Sequence, residues 1–204
     1  KGCIFNCIFC SVPALSKRKV LFRSIKNVIH EIQILNSKYG VNSIHFMDDL
    51  FTINRKRIEE FCNQIIDSGI KIRWRALSRV DTVDKELLSQ MKKAGCYKLA
   101  FGIESGTPRI LNLMKKNISI QTITETIAYC RALGIKTKGF FTIGYPTQTK
   151  KEIFETFSFA KSLLLDSAYF MIVRAYPGTE LFEKQLKNHQ PENLMRFKQK
   201  KEGL

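Results

Sequence analysis

Four times in this chain a helix-spaced apolar run stops at a glycine, and a short apolar run begins directly after it. The glycines are Gly40, Gly69, Gly95 and Gly134. Glycine is the residue that most readily takes the left-handed conformation closing a helix. The first run carries Val28, Ile29, Ile32 and Leu35 at helical spacing, behind Ser24, a side chain suited to capping a first turn. Asn54 and Thr149 are placed to cap later helices, and Asp84 and Ser119 open two more. Five segments read as strands: Val41 to Met47, Ile70 to Leu77, Cys96 to Ile103, Ile135 to Ile143 and Ser167 to Arg174. Each strand–helix unit runs to about 35 residues, the room a right-handed crossover between parallel strands needs. Few folds accept that pattern. It predicts an α/β chain with a parallel sheet, whose chemistry sits at the C-terminal ends of the strands.

Three further segments complete the reading. A short helix is expected from Pro108 to Lys116 and a last one from Glu180 to Lys187. Ser11 to Arg23 is expected to be basic and irregular, with Pro13 as a breaker. Apolar periodicity stops at His189, so residues 1–188 read as the core and 189–204 as a basic tail. A length of 204 residues suffices for one sizeable core.

The chemistry concentrates at the start. Cys3, Cys7 and Cys10 form a C-x-x-x-C-x-x-C run, with Phe9 directly before the last cysteine. Three thiols cannot all pair with one another as disulfides. A short loop that turns on itself aims three soft sulfurs at one centre, which suits an iron–sulfur cluster or zinc. Structural zinc usually has four protein ligands, and no fourth cysteine or histidine lies near. A four-iron cluster with three cysteines keeps one iron open to a small molecule. The other cysteines, Cys62, Cys96 and Cys130, are isolated within apolar runs and read as buried and inert. His30, His45 and His189 have no ligand-spaced partner and are assigned no chemistry.

The cysteine run, continuing into Ser11-Val12-Pro13 and then Phe22-Arg23-Ser24, resembles the signature of the radical S-adenosylmethionine (SAM) superfamily. It is similar to the branch that often carries an N-terminal cobalamin-binding domain. The resemblance extends from Gly2 to about Leu186. It implies a partial (β/α)6 TIM-like barrel whose first strand precedes Lys1, so that this chain is a fragment. It implies a 4Fe-4S cluster and SAM as cofactors, with cobalamin held by a domain outside this chain. The implied reaction is reductive cleavage of SAM to a 5′-deoxyadenosyl radical that takes hydrogen from a substrate, in methyl transfer or cyclisation. A reductant such as ferredoxin or flavodoxin is implied as a partner.

The resemblance also suggests roles. Cys3, Cys7 and Cys10 would hold the cluster, and Phe9 would contact adenine. Met47-Asp48-Asp49 stands where the family has a glycine–glycine–acid motif that receives the methionyl amino group, so Asp48 and Asp49 are candidates. Glu104, in Phe101-Gly102-Ile103-Glu104-Ser105-Gly106, would accept the ribose hydroxyls. Arg79 would hold the SAM carboxylate, as a guanidinium fork matches a carboxylate. Gly144, in Ile143-Gly144-Tyr145-Pro146, would lie against adenine. Ala175-Tyr176-Pro177-Gly178-Thr179 reads as a structural turn, with Arg174 beside the site.

Net charge is +16, from 34 basic and 18 acidic residues. One reading is a polyanionic partner such as tRNA, and a tRNA methylthiotransferase-like enzyme is the alternative it favours. A zinc-containing nucleic-acid-binding protein is the reading from outside catalysis. The basic residues are spread along the whole chain with no aromatic–basic module, which favours lysine-rich solvated faces over nucleic acid. No run is long and apolar enough to cross a membrane, the N-terminus does not read as a signal peptide, and clustered cysteines fit a reducing cytoplasm.

Overall fold

The computed structural model describes residues 1–188. The predicted tail from His189, and that histidine itself, lie outside them. Five strands form one sheet in the order of the chain, and every neighbouring pair is parallel. They are β1 (Ser43–His45), β2 (Arg73–Ser78), β3 (Cys96–Glu104), β4 (Lys136–Ile143) and β5 (Ser167–Ile172). Sequential order with parallel pairing leaves each connection as a crossover over the same face, and such a sheet curls into part of a barrel.

Helices α2 (Ile25–Tyr39), α3 (Arg55–Asp67), α4 (Lys85–Lys93), α6 (Ile120–Ala132) and α7 (Lys150–Ser162) supply that face. Each starts at the expected cap. Side-chain oxygens of Ser24, Asn54, Asp84, Ser119 and Thr149 accept from backbone N–H groups of their first turns. Thr149 and Glu152 close a reciprocal capping box. Two further short helices are α5 (Pro108–Leu113) and, at the end, α8 (Glu180–Asn188).

The core lies between the helices and the outer face of the sheet. Trp74, Phe61, Phe101, Phe141, Leu87, Leu88 and Met91 are all essentially inaccessible. Alternation along β2 turns Trp74 and Ala76 to the helices and leaves Arg73 and Arg75 on the other side. Trp74 is packed edge-on by Phe46 and Phe61, and its indole N–H donates to the Ala94 carbonyl at 2.8 Å. The buried polar tip is thereby satisfied.

Two expectations are corrected. Ser11 to Ser16 is helical (α1), not irregular. Pro13 stands in the first turn, where its missing N–H has no intrahelical partner to lose, so it does not break the helix. The strands after α2 and α3 are also shorter than the apolar runs, starting at Ser43 and Arg73. Ahead of β1 the Asn42 carbonyl already accepts from the Arg73 N–H at 2.8 Å.

Candidate functional site

All five strands deliver their C-terminal ends to one edge, and the cysteine loop lies across it. Cys3, Cys7 and Cys10 line a cavity of about 380 Å³ there, together with Phe9, Asp49, Arg79, Glu104 and Arg174. The three cysteines are partly exposed and free of disulfides.

Three local features hold the loop. The Cys10 N–H donates to the Cys7 carbonyl at 3.1 Å, closing a tight turn. Between them Ile8 points away from the cavity into a small second core of Ile110, Met114, Tyr145 and Leu181. The Ile8 backbone is tied on both sides, its N–H donating to Met114 at 3.1 Å and its carbonyl accepting from Leu181 at 2.9 Å. The third feature is Gly2. It has φ +103°, and a Cβ there would fall 2.1 Å from the Lys19 carbonyl oxygen. Only glycine fits. Its N–H donates to Asp49 Oδ2 at 2.7 Å, so the acid at the end of β1 anchors the start of the loop.

Arg79 follows β2 and is nearly inaccessible. Its guanidinium is held as a fork by Asp81, at 2.9 and 2.8 Å, and donates to the Lys116 carbonyl at 2.7 Å. It also donates to Cys7 Sγ at 3.4 Å and lies 3.8 Å from the centre of the Phe5 ring. A fixed positive charge therefore stands against the cysteine loop. Burial pushes the Cys3 and Cys10 thiols up on balance; backbone hydrogen bonds from Phe5 and Val12, and then the Arg79 and Lys116 cations at Cys3 and Lys116 at Cys10, oppose the rise without cancelling it. Those cations favour the thiolate form that metal ligation needs.

Glu104 ends β3 with φ +71°, a left-handed conformation uncommon for a residue with a side chain. The β3–β4 register shifts between Gly102 and Glu104, and that irregularity turns the carboxylate inward. Glu104 Oε1 accepts from Lys116 Nζ at 3.0 Å and Oε2 from Thr142 Oγ1 at 2.7 Å. The pair is buried, with side-chain exposures of 8% for Glu104 and 6% for Lys116. A Cβ on Gly102 would meet Glu104 Oε1 at 2.6 Å and Lys116 Nζ at 2.8 Å, so glycine gives the pair its space.

Seven of the nine residues expected from the sequence thus face one cavity. Two do not line it. Asp48 does not reach this cavity and lies beside Arg57 and the amino group of Lys1. Gly144 has its N–H engaged by Gln148 Oε1 at 2.8 Å. Sequence reading missed Lys116, Thr142, Phe5 and Ile8. The short helix after the Glu104 strand, expected to run to Lys116, stops at Leu113 (α5), and Lys116 lies beyond it.

The donor set fits a cluster. Three soft thiols line one cavity at the strand ends, and soft thiolates are the ligands an iron–sulfur cluster takes. Arg79, paired with Asp81, also donates to Cys7 Sγ at 3.4 Å, so one guanidinium N–H is turned to the thiol side of the cavity.

Fold and site together define a parallel half-barrel with a thiol-lined cavity at its strand ends. The sequence profile of the Radical SAM superfamily matches residues 1–160. The chain belongs to the radical SAM superfamily, a family of enzymes that use a 4Fe-4S cluster and SAM. It is 39% identical over 189 residues to an uncharacterised methyltransferase of Pyrococcus horikoshii, covering 93% of this chain and 41% of that protein. It is 33% identical over 187 residues to the anaerobic magnesium-protoporphyrin IX monomethyl ester cyclase of Cereibacter sphaeroides, covering 90% and 30%. Among solved structures it matches the radical SAM methyltransferase TsrM of Kitasatospora setae, with cobalamin and a [4Fe-4S] cluster bound. The TM-score is 0.81 at 18% identity, over 88% of this chain and 34% of that one. That likeness shows the partial TIM-like fold. The chain spans less than half the length of these relatives.

Proposed function

We propose that residues 1–188 are the cluster- and SAM-binding core of a radical SAM enzyme of the cobalamin-associated branch, acting in methyl transfer or cyclisation. The observation that carries this is the convergence of Cys3, Cys7, Cys10, Arg79 and Glu104 on one cavity at the ends of parallel strands. The similarity to a methyltransferase and a cyclase supports the reaction class. When bound, the cluster supplies the one-electron reduction that breaks a carbon–sulfur bond of SAM and opens the way to hydrogen abstraction from substrate.

The residues of this chain do the holding. Cys3, Cys7 and Cys10 ligate the cluster. Phe9, on the cavity wall, offers an apolar face to adenine. Glu104 is kept as a hydrogen-bond acceptor by Lys116 and Thr142, so it receives the ribose hydroxyls when they arrive. Arg79 keeps the cluster side of the cavity positive and faces the SAM carboxylate. Asp49 fixes the loop through Gly2 and lines the cavity. Asp48 and Gly144 act from outside the cavity, as supports of the loops that carry them.

Ferredoxin or flavodoxin is the reductant this reading calls for, in a reducing cytoplasm. Among the described residues no helix is long and apolar enough to cross a membrane. The reading is tested by assaying 5′-deoxyadenosine from anaerobically reconstituted protein with dithionite and SAM. Product from the wild type and none from Cys7→Ala supports it. Product in equal amount from both overturns it.

A further inference from the structure

The concave face of the sheet carries a band of cations that this reaction does not use. Parallel register sets His45 beside Arg75, Arg75 beside Lys98, and Lys98 beside Lys136, across four neighbouring strands. Lys138 lies two residues on from Lys136 and so on the same face. Its ammonium sits 3.6 Å from the centre of the Tyr169 ring and 4.6 Å from that of Phe140. His45, Arg75, Lys98 and Lys138 line one groove of about 470 Å³, walled by these two rings.

The cations are uncompensated. Among the described residues no carboxylate pairs with Arg75, Lys98, Lys136 or Lys138. Four basic groups outside this face, Arg79, Arg109, Lys115 and Lys116, do have acidic partners. Asp48 and Asp49 border the groove, and Asp49 is committed to Gly2. Like charges directly opposed on neighbouring strands weaken a sheet. Cations in register are a cost, and an anion seated in the groove on Arg75 and Lys98 relieves it. Burial, with Arg75 and Lys138, already draws the His45 imidazole down, which reports the same positive field.

The groove is continuous with the cysteine-lined cavity, sharing Asp49, Leu77 and Phe140 as lining residues. We propose that it binds the anionic end of the enzyme's substrate, a small molecule bearing two or more carboxylate or phosphate groups. The reacting carbon then lies in the adjoining cavity. Arg75 offers a fork for an oxyanion, Lys98 and Lys138 offer point charges, and Phe140 and Tyr169 flank an apolar or planar body. This assignment rests on the radical SAM reading of the neighbouring cavity.

Calorimetric titration of the reconstituted full chain with pyrophosphate, and separately with citrate, tests it. At least one anion is expected to bind. Arg75→Gln/Lys98→Gln is expected to weaken that binding about tenfold or more. Lys26→Gln/Lys56→Gln removes the same charge from exposed helix surfaces and is expected to change it less than about twofold. Loss for pyrophosphate alone assigns a phosphate-bearing substrate, and loss for citrate alone a carboxylate-bearing one. The groove variant is also expected to keep or raise its thermal midpoint without anion, because repulsion is relieved. Binding of neither anion, or equal weakening by both double variants, overturns the proposal. Substrate-free SAM cleavage in the same preparations separates the two readings. Failure of the wild type to cleave SAM would count against the radical SAM reading, whereas the titrations judge the groove.

Discussion

Replacing Glu104 by glutamine keeps the shape of the side chain and removes its charge. The consequence follows from how Glu104 is held. Its two oxygens accept from Lys116 at 3.0 Å and Thr142 at 2.7 Å, and both members of the ion pair are withdrawn from water. Removing one partner of a buried pair leaves the other charge uncompensated, at about 3–5 kcal/mol. The glutamine carbonyl still accepts from Lys116, which returns about 1 kcal/mol. The net loss is about 2–4 kcal/mol. For a domain of this size each kcal/mol moves the thermal midpoint by about 2–4 °C. Thermal unfolding followed by circular dichroism should therefore show Glu104→Gln melting about 4–16 °C below the wild type. The decisive comparison is Glu104→Gln/Lys116→Met, in which no buried charge is stranded. It should melt well above the sum of the two single effects. A single variant within about 1 °C of the wild type, or strictly additive effects, would refute the reasoning. SAM affinity should fall in every variant that lacks the Glu104 carboxylate, whether or not stability is restored.

Three shorter expectations stand beside it. Ile8→Ala should cost about 2–5 kcal/mol, because it empties the small core that pins the cysteine loop, and should speed iron loss to a chelator. Wild-type retention kinetics in that variant would show that the loop is held some other way. Burial pushes Cys62 and Cys130 up to about 12 and Cys96 higher still, so at pH 8 iodoacetamide should label Cys3, Cys7 and Cys10 in cluster-free protein and spare these three, as peptide mapping would reveal. The Arg109 guanidinium and the capping N–H of Thr149 hold Glu152 down at about 2, against an ordinary 4.5. A depressed carboxyl stabilises above its unfolded value, so this contribution is complete above pH 4.5 and is lost as pH falls toward 2. Acid titration of Arg109→Ala should show a smaller stability loss across that window than the wild type.

Much of the fold could be read in the sequence because its signals are local. A capping side chain such as Asn54 bonds a backbone group three residues away, and a glycine such as Gly40 sets its own φ. The cysteine spacing and Glu104 were legible for the same reason, each lying in a short run with its own geometry. Pro13 misled because the rule that proline breaks helices fails in the first turn. The Asp48–Asp49 pair could not be divided from sequence. Both lie in the loop after β1, and only the structure shows that Asp49 reaches the cysteine cavity and Asp48 does not. Lys116, Thr142 and Phe5 were missed because their partners are distant in the chain. Thr142 meets Glu104 across 38 residues, and Phe5 meets the guanidinium of Arg79. The basic groove escaped notice for a related reason: Arg75, Lys98 and Lys136 become a row only through strand register.

The most direct test of the account is metal analysis with electron paramagnetic resonance on anaerobically reconstituted, dithionite-reduced protein, before and after SAM is added. The account predicts about four irons per chain, a reduced-cluster spectrum that SAM perturbs, and loss of both in a Cys3→Ala, Cys7→Ala or Cys10→Ala variant. Stoichiometric zinc with no iron signal, or a spectrum that ignores SAM and survives those substitutions, would contradict it.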